Sequence, residues 1–176
     1  RIVDRMEAKI DSSNPEREVG EILVRGTNVM LGYYKNEAAT NEVMLPDGWM
    51  KTGDLGILDK DNFLFIKGRN KNLILGSSGQ NIYPEEIEDK LNNSPSILES
   101  LVIEVNSKIV ALIVPDEDYM KEQEIGKEDY DKFFDNEVNL INETLPVYSK
   151  IASFRVQEKE FDKTPKRSIR RFKYQE

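Results

Sequence analysis

The stretch GWMKTGDLG, residues 48–56, places one carboxylate, Asp54, directly after a glycine. An ionised carboxylate only accepts hydrogen bonds, through two oxygens. Vicinal sugar hydroxyls present two donors at a matching separation, and charge-assisted bonds of that kind are the strong ones. Gly53, having no Cβ, lets backbone and ligand approach closely. Fifteen residues further on, Arg69 stands in KGRNK. Its guanidinium is a rigid fork of donors for hydroxyl or phosphate oxygens. Each residue also has a plainer reading: Asp54 as a turn cap, and Arg69 as a surface cation paired with a nearby acid such as Asp54.

The elements between them bear on the choice. ILDKDNFLFIKG reads as two strands joined by the polar turn Asp59 to Asn62, a hairpin that returns the chain and brings Asp54 and Arg69 to one site. Upstream, VGEILVRG alternates apolar and polar residues between glycines, a strand signal. Residues 34–45 suit a short surface helix, and LPDGW carries turn chemistry. Residues 1–68 therefore read as mostly β, like part of a barrel or sandwich. At GRNKN the style changes. A short strand and a Gly-Ser loop lead to Pro84, which suits the first position of a helix. PEEIEDKLN puts acids in its first turn and Ile87 and Leu91 on one face. ILESLVIEV and KIVALIVP are two strands joined at Asn106-Ser107. The spacing of Tyr130, Phe134, Val138, Ile141 and Leu145 predicts a long helix over 127–145, and a last strand falls near 153–158. The fold class is α+β, with a β-rich portion over 1–70 and a small mixed domain over 71–176.

Composition narrows the chemistry. The chain has 176 residues with no cysteine and no histidine. That excludes disulfides, thiolate chemistry and imidazole or thiolate metal sites, and no metal ligand set is expected. Residues 84–143 hold 17 acids against 5 bases, which disfavours nucleic acid as a partner. The C-terminal KTPKRSIRRFK holds six bases and no acid. Read alone, it suits phosphate, RNA or an anionic lipid surface, with Ile169, Phe172 and Tyr174 interleaved for peripheral membrane contact. The start at Arg1, already in strand-like sequence and with no leader, reads as a piece of a longer cytosolic protein.

Three spaced motifs carry a family resemblance. TGD at 52–54, GR-x-K at 68–71 and G-x-x-x-x-P-x-E-I-E at 79–88 follow one another in order. In that order and spacing they resemble the C-terminal portion of the adenylate-forming enzymes, and GQNIYPEEIE most resembles the long-chain fatty acid–CoA ligases. The resemblance implies that ATP and a fatty acid give an acyl-adenylate and pyrophosphate, and that coenzyme A then takes the acyl group. It implies that Asp54 and Arg69 hold the ribose, that Lys71 is the hinge about which the small domain swings, and that Gly79 lies on the loop used in the thioester step. Mg²⁺ would accompany ATP, with ligands outside this chain. The family's phosphate loop and acyl pocket would lie upstream of Arg1, in an N-terminal domain that the reaction requires, so this stretch alone is expected to be inactive.

One position departs from the pattern. The family closes on K-T-x-x-G-K-I-x-R, its second lysine serving adenylation. Here KTPKRSIRR sets Arg167 on the glycine and Ser168 on that lysine. A serine supplies no positive charge to a transition-state phosphate. Lys166, Arg167 and Arg170 are the neighbouring cations, and Lys166 is the candidate catalytic residue. The other readings are a solvated basic tail, a non-catalytic binding module built on that tail, and a ligase for an amino acid or small aromatic acid on the same scaffold.

Overall fold

The structure, a computed structural model, describes residues 2–76 and 79–175. The chain forms two compact units that divide between Leu73 and Ile74. The class is α+β, as the sequence predicts.

In the first unit four strands make an antiparallel meander in spatial order: β1 (Met6–Asp11), β2 (Gly20–Gly26), β3 (Met50–Leu58) and β4 (Leu64–Arg69). Alternation along β1 and β2 buries Ile10, Ile22 and Val24 on one face, where Met50, Leu58 and Leu64 pack on them. Trp49 is buried beneath two cations, with Lys9 Nζ 4.4 Å and Arg25 Cζ 4.7 Å from its ring centroid. Helix α1 (Glu37–Val43) is capped by Asn36, whose side-chain oxygen accepts from the Ala39 N–H. The β3–β4 turn is closed by Asp59, whose Oδ1 accepts from the N–H groups of Asp61 (2.9 Å) and Phe63 (2.8 Å). That local bonding is what makes Asp a turn former.

The second unit opens with the hairpin β5 (Ile74–Leu75) and β6 (Asn81–Ile82), followed by helix α2 (Pro84–Asn92). A three-stranded sheet follows in the order β7 (Ile97–Val105), β8 (Lys108–Pro115), β9 (Ser153–Val156). Strands β7 and β8 are antiparallel and turn at Asn106 and Ser107, both with positive φ. Strand β9 runs parallel to β8, reached through helices α3 (Glu117–Glu122) and α4 (Tyr130–Glu143). On one face of the sheet Val102, Ala111 and Ile113 meet Ile87 and Leu91 of α2 and Phe134 of α4. On the other, Leu101, Ile103, Val110, Leu112 and Val114 meet Phe161, Ile169 and Tyr174 of the C-terminal segment. Both faces are covered, which is why the strands read as nearly continuous apolar runs.

Three details differ from the sequence reading. The helix expected over 127–145 begins as a 3-10 turn at Lys127–Asp129 and ends at Glu143, leaving Leu145 buried beyond it. Helix α3 was not anticipated, although Asp116 caps it by accepting from the Asp118 and Tyr119 N–H groups. The C-terminal segment is not a solvated tail: Ile169 and Tyr174 pack against the sheet, while Phe172 stays exposed. Among the described residues no helix is long and apolar enough to cross a membrane.

Candidate functional site

Asp54 and Arg69 face each other across β3 and β4, with Arg69 Nε 3.2 Å from Asp54 Oδ1. The hairpin thus joins the acid and guanidinium that the sequence singled out. Both remain accessible, with 32% of the Asp54 side chain and 58% of the Arg69 side chain exposed. A shallow depression lined by Thr52, Gly53, Arg69, Asn70 and Lys71 opens beside them. Gly53 has φ +76°, a left-handed conformation that favours glycine, and a Cβ there would meet nothing within 4 Å. Glycine therefore serves the backbone turn and also leaves the space in front of it clear. In chemical terms, one carboxylate acceptor and one fork of donors border an open cleft. A ligand with paired hydroxyls would compete with Arg69 for Asp54, and the guanidinium would be free to turn to other oxygens. Lys71 lies exposed in the 3-10 turn Asn70–Asn72, two residues before the division between the units.

Gly79 belongs to the second unit, in the loop of the β5–β6 hairpin. That loop is closed by Gly76 N–H to Gln80 O (2.9 Å) and Gly79 N–H to Gly76 O (2.8 Å). Its φ is +83°, it is exposed, and its Cβ direction is open. Residues 77 and 78 of the Gly-Ser loop lie outside the described residues.

The KTPKRSIRR segment folds into a tight hairpin of its own. Lys163 bridges Ile169, Thr164 N–H donates to Ser168 O, and Arg170 N–H donates to Asp162 O. Lys166, Arg167 and Ser168 stand exposed on its loop, and Arg167 has φ +63°. Of the cations proposed to replace the missing lysine, Arg170 is half-buried and donates to the Lys163 carbonyl (3.3 Å). Lys166 and Arg167 are the two presented outward.

Residues 71–176 match a family model described as the AMP-binding enzyme C-terminal domain. The chain belongs to that family. The resemblance to the adenylate-forming enzymes therefore holds. Over 105 residues the chain is 43% identical to a sulfoacetate–CoA ligase of Cupriavidus necator, covering 57% of this chain and 20% of that protein. Over 84 residues it is 49% identical to the long-chain-fatty-acid–CoA ligase FadD15 of Mycobacterium tuberculosis, covering 48% of this chain and 14% of that protein. Its fold matches o-succinylbenzoate coenzyme A synthetase of Bacillus subtilis, in complex with ATP and magnesium ion, at TM-score 0.73 and 30% identity. That match covers 95% of this chain and 33% of the synthetase. The chain spans a fifth or less of the length of the curated relatives named here.

Within the AMP-binding C-terminal domain two anchors hold the basic hairpin, and the sequence reading missed both. On one side Lys163 Nζ lies 2.8 Å from Glu99 and 2.7 Å from Glu160; these bonds, Glu160 first, hold its ammonium above the usual lysine range. On the other side Arg171 pairs with Glu88 and donates to the Val102 carbonyl (3.2 Å), while Glu88 accepts from the Val102 N–H (2.6 Å). Strand β7 is an edge of its sheet, so Val102 offers its peptide groups outward, and a helix carboxylate and a tail guanidinium cover them. Burial pushes the Glu88 carboxyl up, and Arg171 opposes that rise. The signal for Glu88 was present: it shares the buried face of α2 with Pro84, Ile87 and Leu91, and an acid on a core face needs a partner. Among the described residues no cluster of acids is arranged to hold a metal ion.

Proposed function

We propose that the protein carrying this chain is an ATP-dependent, AMP-forming acid–coenzyme A ligase. In the first half-reaction a carboxylate oxygen attacks the α-phosphorus of ATP and pyrophosphate leaves. In the second, the coenzyme A sulfur attacks the acyl carbon and AMP leaves. Asp54 takes both ribose hydroxyls and Arg69 turns from Asp54 to the nucleotide's oxygens. The observation that carries this reading is the Asp54–Arg69 pair at 3.2 Å on an open cleft, beside a glycine with nothing in front of it. Mg²⁺ would be held by the phosphates and by residues outside this chain. Residues 1–70 then belong to the large adenylate-forming domain and residues 71–176 to the mobile one, with Lys71 as the hinge. Gly79 lies on the loop that accompanies coenzyme A, and Lys166, exposed at the tip of the basic hairpin, supplies the positive charge that Ser168 lacks.

For the acid we propose a long-chain fatty acid, supported by the GQNIYPEEIE motif and by FadD15. A small aromatic acid is the second reading, favoured by the match to o-succinylbenzoate coenzyme A synthetase over 95% of this chain. ATP–pyrophosphate exchange with a panel of acids, in the full-length protein, separates the two. In the same assay Asp54→Ala removes two charge-assisted hydrogen bonds. It should raise the KM for ATP about a hundredfold, from about 3 kcal/mol of lost binding. An unchanged KM for ATP overturns the nucleotide assignment.

A further inference from the structure

Strand β3 does not run evenly beside β2. Leu23 faces Lys51 and Glu21 faces Leu55, so a two-residue step on β2 is matched by a four-residue step on β3. Thr52, Gly53 and Asp54 occupy that swelling. On the other side β4 carries an extra residue, since Leu55 faces Gly68 while Gly56 faces Ile66. A bulge gives up ladder hydrogen bonds, and bulges recur where a side chain must be re-aimed.

Side chains replace what the ladder loses. The Gly53 N–H donates to Glu21 Oε1 (3.1 Å). The Asp54 N–H donates to Thr52 Oγ1 (3.1 Å), and the Thr52 hydroxyl donates to the Ile22 carbonyl (2.8 Å). The single proton of Thr52 is therefore committed to β2, although Thr52 borders the depression. Glu21, half-buried, is committed to the Gly53 peptide. Together they fix the peptide on each side of Gly53 and hold Asp54 in register opposite Arg69.

We propose that Thr52 and Glu21 are positioning residues of the nucleotide site, acting through Asp54 and touching no ligand themselves. This rests on the reading of Asp54 as the ribose contact. Without these bonds the bulge relaxes, Asp54 leaves its place opposite Arg69, and ATP binds less well while the chemistry of bound ATP is unaltered.

The test is ATP–pyrophosphate exchange by the full-length protein, with the thermal midpoint measured alongside. Thr52→Val keeps the shape and removes both hydrogen bonds. It should raise the KM for ATP about tenfold, with kcat and the KM for the acid unchanged and the thermal midpoint lowered by only a few degrees. Thr52→Ser should restore the wild-type value. Glu21→Leu should match Thr52→Val, while Glu21→Gln, which keeps an acceptor oxygen, should stay close to wild type. If Thr52→Val does not fold, Glu21→Leu and the two conservative variants carry the same comparison. Asp54→Ala is the reference. If it raises the KM for ATP while Thr52→Val and Glu21→Leu do not, the positioning role is overturned and the nucleotide assignment stands. If Asp54→Ala has no effect, the nucleotide assignment fails and this inference with it. Equal losses toward ATP and acid in Thr52→Val, or no rescue by serine, also overturn the positioning role.

Discussion

Replacing Arg171 by Met keeps most of the side-chain volume and removes the cation from Glu88, so the stability of the second unit should fall in a pH-dependent way. Only 11% of the Glu88 side chain and 17% of the Arg171 side chain is exposed. Removing one member of such a pair leaves a buried charge without compensation, at a cost of about 3 kcal/mol or more. Protonation sets a ceiling on that cost. Neutralising a carboxyl whose unfolded value is 4.5 costs about 1.4 kcal/mol per pH unit above it, so about 4 kcal/mol at pH 7.5 and about 1.4 at pH 5.5. The Val102 carbonyl also loses a donor, worth about 1 kcal/mol at either pH. The sign follows from linkage. Burial already raises the Glu88 carboxyl in the folded chain, and Arg171 is the largest influence lowering it. Without Arg171 it rises further. A raised acid stabilises fully below its unfolded value and loses that contribution as pH climbs toward its folded value. Urea unfolding followed by far-ultraviolet circular dichroism should therefore show a loss of about 4 kcal/mol at pH 7.5 and about 2.4 kcal/mol at pH 5.5. Adding Glu88→Gln to Arg171→Met keeps an acceptor for the Val102 N–H and removes the charge, so most of the loss at pH 7.5 should return. A loss that is the same at both pH values, or that grows on acidification, would refute the buried-charge argument.

The basic hairpin gives a second prediction. Arg167 holds φ +63°, which costs a residue with a Cβ about 1 kcal/mol, against about 0.5 kcal/mol for the extra freedom of glycine in the unfolded chain. Arg167→Gly should thus raise stability by about 0.5 kcal/mol in the same urea assay, and a clear loss would mean that the Arg167 side chain makes a stabilising contact. At the proposed hinge, Lys71→Pro fixes φ near −65°. In the full-length protein thioester formation should fall about tenfold or more with pyrophosphate exchange nearly intact; equal loss in both half-reactions would remove Lys71 as the hinge.

The parts of this molecule that were legible in the sequence are those set by neighbours in the chain. The β3–β4 hairpin follows from two short apolar runs on either side of a polar turn and from Asp59 bonding peptides two and four residues ahead, and the pairing of Asp54 with Arg69 follows from the hairpin. Helix α2 follows from Pro84, its first-turn acids and its apolar face. Helix α3 was equally local, yet Asp116 sits in an acidic run that reads as loop until its peptide partners are seen.

The features that escaped are those made by partners far apart in the chain. The bulge at Thr52–Asp54 depends on a glutamate 32 residues upstream of Gly53 and on a carbonyl 30 residues from Thr52. No local pattern in TGD announces it, although a glycine inside a strand pattern is the kind of place where bulges occur. The C-terminal bases read as solvated because Lys and Arg usually are. Arg171 differs only because Glu88, 83 residues earlier, is buried on the core face of a helix and the outer edge of β7 lies between them. The same physics governs both misses. A strand that breaks its ladder, or presents an edge, leaves peptide groups to satisfy, and a carboxylate from another element satisfies them: Glu21 for Gly53, Glu88 for Val102. In each case a second side chain completes the arrangement, Thr52 in the bulge and Arg171 at the edge. A polar residue at a position where periodicity calls for an apolar one is thus the local trace of a distant backbone group, and Glu88 is its clearest instance in this chain.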